Sequence, residues 1–297
     1  MGVISQGKVI FCEGGRESLD YRVLSTILGS MRSSNCTIVP IGSKFALAGF
    51  IQGYFQGASQ AQVSYLVFRD RDFDAIPSSD SPRLLQLEGR EGQRQPFLSY
   101  RTCIENYLLN SDSIHQYWQS KYEEKQEHPT SGQWGHGDSP GVEEIQGWIK
   151  DSAKQLQDYQ AVRWALGDLL RDPRAMRQLK TTWTGQSGVL PRSLELTQCK
   201  QAAIEQIIEP FCGDCSQISI DRFEERVKHY DVKFSDSAFW ERQDYLIWFH
   251  GKDLIKQMGR DRPRYISLKD FTEEASENLN WQNHPDLVEL KDKLQAD

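Results

Sequence analysis

The 297-residue chain has no run of 18 or more apolar residues, no internal repeat and no low-complexity tract. Crossing a bilayer as a helix takes about 20 predominantly apolar residues, so no membrane span and no membrane partner are expected. Residues 1–8 lead into an apolar stretch of only four, Val9 to Cys12, too short for the apolar core of an export signal, and a cytoplasmic location is expected. Cysteine is sparse: Cys12, Cys36, Cys103, Cys199, Cys212 and Cys215 are scattered, which points to free thiols rather than a disulfide framework. Cys212-Gly-Asp-Cys215 has the spacing of a zinc knuckle but lacks a second pair of ligands, so structural zinc is not expected. The six histidines show no paired spacing; His250, close to Lys252, is the one worth testing. No Gly-x-x-x-x-Gly-Lys-Ser/Thr sequence occurs, which excludes a P-loop ATPase in this chain.

Basic residues are also in deficit, 35 against 42 acidic, for a net charge of -7. Phosphate binding ordinarily wants basic surface, so at face value this disfavours nucleic acid. The deficit is local, however. Residues 1–110 hold 11 basic and 10 acidic groups, so the remainder holds 24 and 32, a net of -8. The acidity belongs to the C-terminal part.

What is present is a foldable aromatic complement, 8 Trp, 11 Tyr and 13 Phe, which disordered chains lack. A length near 300 residues suits about two domains, read as residues 1–110 and 111–297. In the first, three apolar runs, Lys8 to Cys12, Thr37 to Ile41 and Val63 to Phe68, are each short enough for a strand. Helical spacing separates them: Leu19, Val23, Leu24, Ile27 and Leu28, then Phe45, Leu47, Ala48, Ile51 and Tyr54. Strands alternating with helices predict an α/β fold with a mostly parallel sheet and helices on both faces. Phe97 to Leu109 reads as a further extended segment and a helix opening. Beyond a Gly- and Pro-rich excursion near 128–141, helices are predicted over 142–170, 199–210, 220–229 and 245–258, making the second domain mainly α-helical. Trp118, Trp148, Trp164, Trp183, Trp240 and Trp248 could stack nucleobases, but on helical segments they more often fill a core.

In a parallel sheet the ligand site lies beyond the carboxyl ends of the strands. Glu13 stands at the end of the first strand, with Gly14 and Gly15 to turn the backbone and Glu17 one helical turn on. Asp70 and Asp72 stand two apart after the third strand. If those strands are neighbours, four carboxylates converge at one edge, and such a cluster calls for a cation. Oxygen ligands select Mg²⁺ or Mn²⁺, which would also carry the positive charge that the surface lacks. Phosphodiester cleavage is the chemistry that uses ions so held. Read without a cation, Asp70, Asp72 and Asp74 are turn and capping residues.

The run Val9-Ile-Phe-Cys-Glu13-Gly14, then Glu17, then Phe68-Arg-Asp70-Arg-Asp72-Phe-Asp74, resembles the TOPRIM domain of topoisomerases, primases and the OLD (overcoming-lysogenisation-defect) nucleases. That domain has a Glu-Gly turn after strand one, with an acid often four residues on, and Asp-x-Asp after strand three. Together with Pro40-Ile-Gly-Ser-Lys44 and Arg101-Thr-Cys-Ile-Glu-Asn-Tyr-Leu-Leu109, residues 1–110 resemble a bacterial family of OLD-like TOPRIM proteins linked to anti-phage defence. The resemblance implies Glu13, Asp70 and Asp72 as metal ligands, with Glu17, where many members carry Asp, as a further one. Glu105 either completes the metal site or satisfies backbone amides at a helix start. Lys252, in Trp248-Phe-His-Gly-Lys252, resembles a late lysine thought to stabilise charge on the scissile phosphate in OLD nucleases; otherwise it is a solvated helix-start lysine. Lys44, Arg71 and Arg101 are phosphate-contact candidates.

The expectation is a Mg²⁺- or Mn²⁺-dependent nuclease acting on DNA or RNA, tRNA included, with Glu13, Asp70, Asp72, Glu105 and Lys252 as its catalytic set. OLD nucleases carry their ATPase in the same chain, so here a separate ATPase partner is expected, and a homodimer is compatible with the sequence. The rival reading is a non-catalytic TOPRIM module that binds nucleic acid or protein.

Overall fold

Four consecutive apolar residues between polar neighbours have nowhere to go but a sheet interior, and Val9–Cys12, all buried, form the central strand β1 in the computed structural model of the chain. The structure describes residues 8–31, 36–44, 46–55, 64–78, 81–87, 96–128, 137–171, 179–211 and 218–296. Phe45, residues 129–136 of the glycine-rich excursion and the Cys212–Cys215 pair lie outside them. Contacts divide the chain into two units: residues 1–71, 77–108 and 272–297 form one, and 72–76 with 109–271 the other. The sequence predicts a single break near residue 110; the contacts instead group residues 272–297 with the first unit and residues 72–76 with the second.

The first unit holds a five-stranded, mostly parallel sheet. Its strands are β1, β2 (Thr37–Pro40), β3 (Tyr65–Arg69), β4 (Leu85–Gln86) and β5 (Phe97–Leu98), in the order β2-β1-β3-β5-β4. β1 runs parallel to both β2 and β3, with Phe11 opposite Val39 and Val67, and only β4 is antiparallel. Alternation along β1 sends Val9 and Phe11 to one face and Ile10 and Cys12 to the other. Helix α1 (Leu19–Gly29), started by Ser18 Oγ accepting the Tyr21 N–H at 3.3 Å, packs Val23, Leu24 and Ile27 on the Ile10/Cys12 face. Helix α2 (Leu47–Tyr54) covers the Val9/Phe11 face through Ile51 and Phe55. The expected layering, helices on both faces of a mostly parallel sheet, is present. A short helix α3 (Glu105–Leu108) follows β5.

The regular elements described in the second unit are helices, among them α4 (Ser111–Glu127), α5 (Val142–Arg171), α6 (Leu196–Ala203), α7 (Ile220–Ser235), α8 (Ser237–Glu241), α9 (Tyr245–Trp248) and α10 (Gly251–Asp261). Helix α11 (Leu268–Glu277) leads back to the first unit, where the last helix, α12 (Pro285–Gln295), buries Leu287, Leu290 and Leu294 beside α1. Trp118, Trp148, Trp164 and Trp248 are buried, as core rather than as an exposed stacking platform. The predicted continuous helix over 245–258 is broken at Phe249 and His250, whose extended backbone starts α10 afresh. Among the described residues, no helix is long and apolar enough to cross a membrane.

Candidate metal centre

Because β1 and β3 are adjacent and parallel, the residues that follow them leave the same edge of the sheet. Glu13 follows β1 into a tight turn. Gly14 has φ +73°, and a side chain there would meet Ser18 Cβ at 2.4 Å, so both the backbone and the space require glycine. Gly14 O accepts the Gly42 N–H at 2.9 Å, tying this turn to the Gly42-Ser43-Lys44 turn after β2, where Lys44 is half-buried.

Asp70 follows β3 and is 4% exposed. Its Oδ1 accepts the Ile104 N–H at 2.9 Å, which aligns it with the start of α3. Glu105, the first residue of α3, is 8% exposed, and Cys103 is fully buried. One ligand atom each from Asp70, Cys103 and Glu105 lie within 4.8 Å of one another. Thus Asp70 and Glu105, far apart in sequence, meet. Cys103 was not anticipated; the clue available was its position two residues before Glu105, in the same Thr-Cys-Ile-Glu-Asn motif. Its Sγ donates to Asn106 Oδ1 at 3.1 Å. The carboxylates are hard donors suited to Mg²⁺ or Mn²⁺, and the thiol is a soft one.

The other expected residues occupy different surroundings. Glu17 is outside this group, with an exposed side chain that ion-pairs with Arg22 at 3.4 Å. Arg71 is fully buried, and Nε and Nη2 donate to Tyr100 O at 3.1 Å and Thr102 Oγ1 at 3.3 Å. It holds the 99–102 loop, a position unlike that of a phosphate contact at a surface. Arg101 lies with its guanidinium 5.3 Å from the Tyr107 ring centroid and donates to Asn106 O at 2.5 Å. Burial holds its pKa below the usual arginine value, against the opposing pull of Tyr107 and Asp286. The Cys12 thiol, just before Glu13, is pushed up from 9.0 to about 12, by burial first and then by the charges of Asp20 and Glu13, so it is an inert core residue.

Asp72 belongs to the second unit. Among the described residues it is one of two non-glycine residues with positive φ, at 50°. Its Oδ1 lies 3.2 Å from Nε2 of the buried His250. Lys252 is exposed in the first turn of α10. Comparison with protein-family models, with curated proteins and with solved structures finds no match to this chain.

Proposed function

We propose that the chain is a Mg²⁺- or Mn²⁺-dependent nuclease with a TOPRIM-type catalytic unit. The observation that carries the reading is the meeting of the Asp70 and Glu105 carboxylates in one buried group after β3, at the edge where Glu13 also leaves the sheet. These residues fit a divalent cation: two carboxylates held this close and this buried repel each other unless a cation or a proton neutralises them. Asp70, Glu105 and Glu13 would hold the ion, and Asp72 is the further ligand that the resemblance assigns. A bound divalent cation supplies charge neutralisation at the scissile phosphate and a more acidic water. The protein's own part is orientation. The Ile104 amide fixes one Asp70 oxygen, α3 fixes Glu105, and the 99–102 loop between them is braced by Arg71. Lys252 is assigned to charge on the phosphate, and Lys44 and Arg101 to substrate contact. A separate ATPase partner and a role in anti-phage defence belong to the same proposal and rest on the resemblance together with the absent P-loop.

The test is cleavage of DNA, RNA and tRNA by the purified protein with Mg²⁺ or Mn²⁺, against Glu13→Ala and Glu105→Gln. Cleavage that needs metal and disappears in both variants supports the enzyme. Identical behaviour of the three proteins on every substrate sinks it.

A further inference from the structure

Helix α10 sorts its charges by sign. Its two acids turn inward: Asp253 is fully buried and accepts from Gln160 Nε2 and Arg163, both on α5, and Asp261 accepts from Ser152 Oγ and, at 2.8 Å, from Gln257 Nε2. Its exposed positions are Lys252, Lys256, Gly259 and Arg260. The three cations recur every fourth residue and so form one stripe along the helix. Arg262 and Arg264, just past the helix end, are exposed as well. Residues 251–264 thus have five exposed cations and no exposed acid, in a part of the chain whose net charge is -8. On α4 the sorting is opposite: its exposed charged residues, Asp112, Glu123, Glu124 and Glu127, are all acidic. A face that is merely solvated ordinarily intersperses both signs.

Carboxylates leave most of these cations alone. Lys256, Arg262 and Arg264 form no ion pair among the described residues, and Arg260 donates to the carbonyls of Leu190 at 3.2 Å and Pro191 at 3.3 Å. Residues 188–192 therefore run beside α10, and a Cβ on Gly188 would meet Lys252 Cβ at 3.4 Å. That segment holds no acid and adds the exposed Arg192. At 1.5 Å of rise per residue, Lys252, Lys256 and Arg260 stand about 6 Å apart along the axis and span about 12 Å. A nucleic-acid strand carries one charge per roughly 3.4 Å of axis, so the stripe covers about three to four phosphates.

The chemistry of the face selects among anionic partners. Leu254 and Met258, on the apolar side of α10, are fully buried, so the helix has no face left to insert into a lipid surface. Val189, 42% exposed, is the one large apolar side chain standing out in residues 188–192 and 251–264, too little for the apolar core of a protein interface. A phosphodiester backbone asks only for spaced cations and polar groups.

We infer that the exposed face of α10, continued by Arg262 and Arg264 and flanked by Arg192, is the surface through which the protein holds the phosphate backbone of a nucleic acid, without regard to sequence. The inference rests on the nuclease reading for its choice of partner and deepens it by naming where substrate is gripped. The surface lies wholly within the second unit and needs no metal, so binding through it separates from cleavage.

The experiment is fluorescence anisotropy of the full chain with labelled DNA duplexes and RNA single strands of mixed sequence, in EDTA, from about 50 to 200 mM salt. The wild type should bind both, with log K falling linearly against log salt. Lys256→Gln/Arg262→Gln/Arg264→Gln should bind every sequence at least about 10-fold more weakly, with a salt slope shallower by about 2 to 3, near 1 per lost phosphate contact. Lys154→Gln/Lys228→Gln/Arg242→Gln removes the same charge from α5, α7 and the end of α8, and should leave the slope unchanged. Should the first variant fail to fold, Lys256→Glu, at an exposed position, should by itself weaken binding and flatten the slope. Equal affinity and slope in the wild type and the α10 variants, or equal losses in the two triple variants, overturns the inference and leaves the nuclease reading standing. A wild type that binds neither nucleic acid, or that binds phosphatidylserine vesicles through this face instead, overturns it too. If that preparation also fails to cleave with Mn²⁺, the nuclease reading falls with it.

Discussion

Asp253→Asn changes one atom's chemistry at the centre of the helical unit, and its cost follows from counting donors. Asp253 accepts from Arg163 Nη1 and Gln160 Nε2 on one oxygen and from the Gly188 N–H on the other. Asparagine has one acceptor oxygen and an NH₂ group, so either the Gly188 amide or the Gln160 and Arg163 donors must face another donor. The charge matters as well. Burial alone would lower the Arg163 pKa, yet the Asp253 carboxylate beside it raises it overall, so the guanidinium keeps its charge in the interior. Removing one member of a fully buried pair leaves the other uncompensated and costs about 3–5 kcal/mol, a large share of the roughly 5–15 kcal/mol that holds a domain folded. Urea unfolding followed by tryptophan fluorescence reads this directly, since Trp164 and Trp248 lie in the same unit. Lys154→Ala is the control. Lys154 and Asp151 are 3.9 Å apart and more than half exposed, and such pairs contribute about 0–1 kcal/mol. A loss below about 1 kcal/mol in Asp253→Asn, or one equal to that of the control, would refute the reasoning that this network is dry and fully engaged.

Gly167→Ala gains up to about 1 kcal/mol in helix propensity but drives a methyl into Phe73 Cβ at 2.7 Å; overpacking of this kind costs about 1–3 kcal/mol, so thermal unfolding should show a net loss. An unchanged or higher melting temperature would mean that Phe73 is not held against α5. The His284 ring is held down from 6.5 to about 4, by burial first and then by the Arg101 guanidinium, so unfolding takes up a proton between those values. Its contribution to stability is complete above pH 6.5 and is lost as pH falls toward 4. The slope approaches about 1.4 kcal/mol per pH unit, lessened by the ring's partial exposure. His284→Gln should flatten the urea midpoint against pH over that window, and a slope unaltered by the substitution would count against the assignment.

Much of the first unit was legible because its signals are local. Val9–Cys12 and the run ending at Arg69 are apolar, short and bounded by turn residues, and burial on both faces leaves no other pattern for them. Parallel pairing of β1 with β3 then carries Glu13 and Asp70 to one edge. What could not be read depends on distant packing. The helix expected over 245–258 breaks because the His250 amide is taken by Gln160 instead of by the preceding turn, a partner ninety residues away. Asp72 looks like the twin of Asp70 in sequence, but the period of two ends with the strand at Arg69, and Asp72 has a positive φ with its Oδ1 3.2 Å from His250 Nε2. Arg71, between the two acids, invites a phosphate role on charge alone; only the fold shows it buried against Tyr100 O. Helix α12 has an ordinary amphipathic pattern, and nothing in that pattern says that Leu287 and Leu290 belong beside α1.

The central claim, that Asp70 and Glu105 form a metal centre, is tested most directly by calorimetric titration of the purified chain with Mn²⁺, in parallel with Asp70→Asn and Glu105→Gln. The account predicts a saturable site in the wild type that is weakened at least 10-fold by either substitution, as expected when a carboxylate in the ligand set is lost, with far-UV circular dichroism unchanged. Equal Mn²⁺ affinity in all three proteins, or none in the wild type, would contradict it.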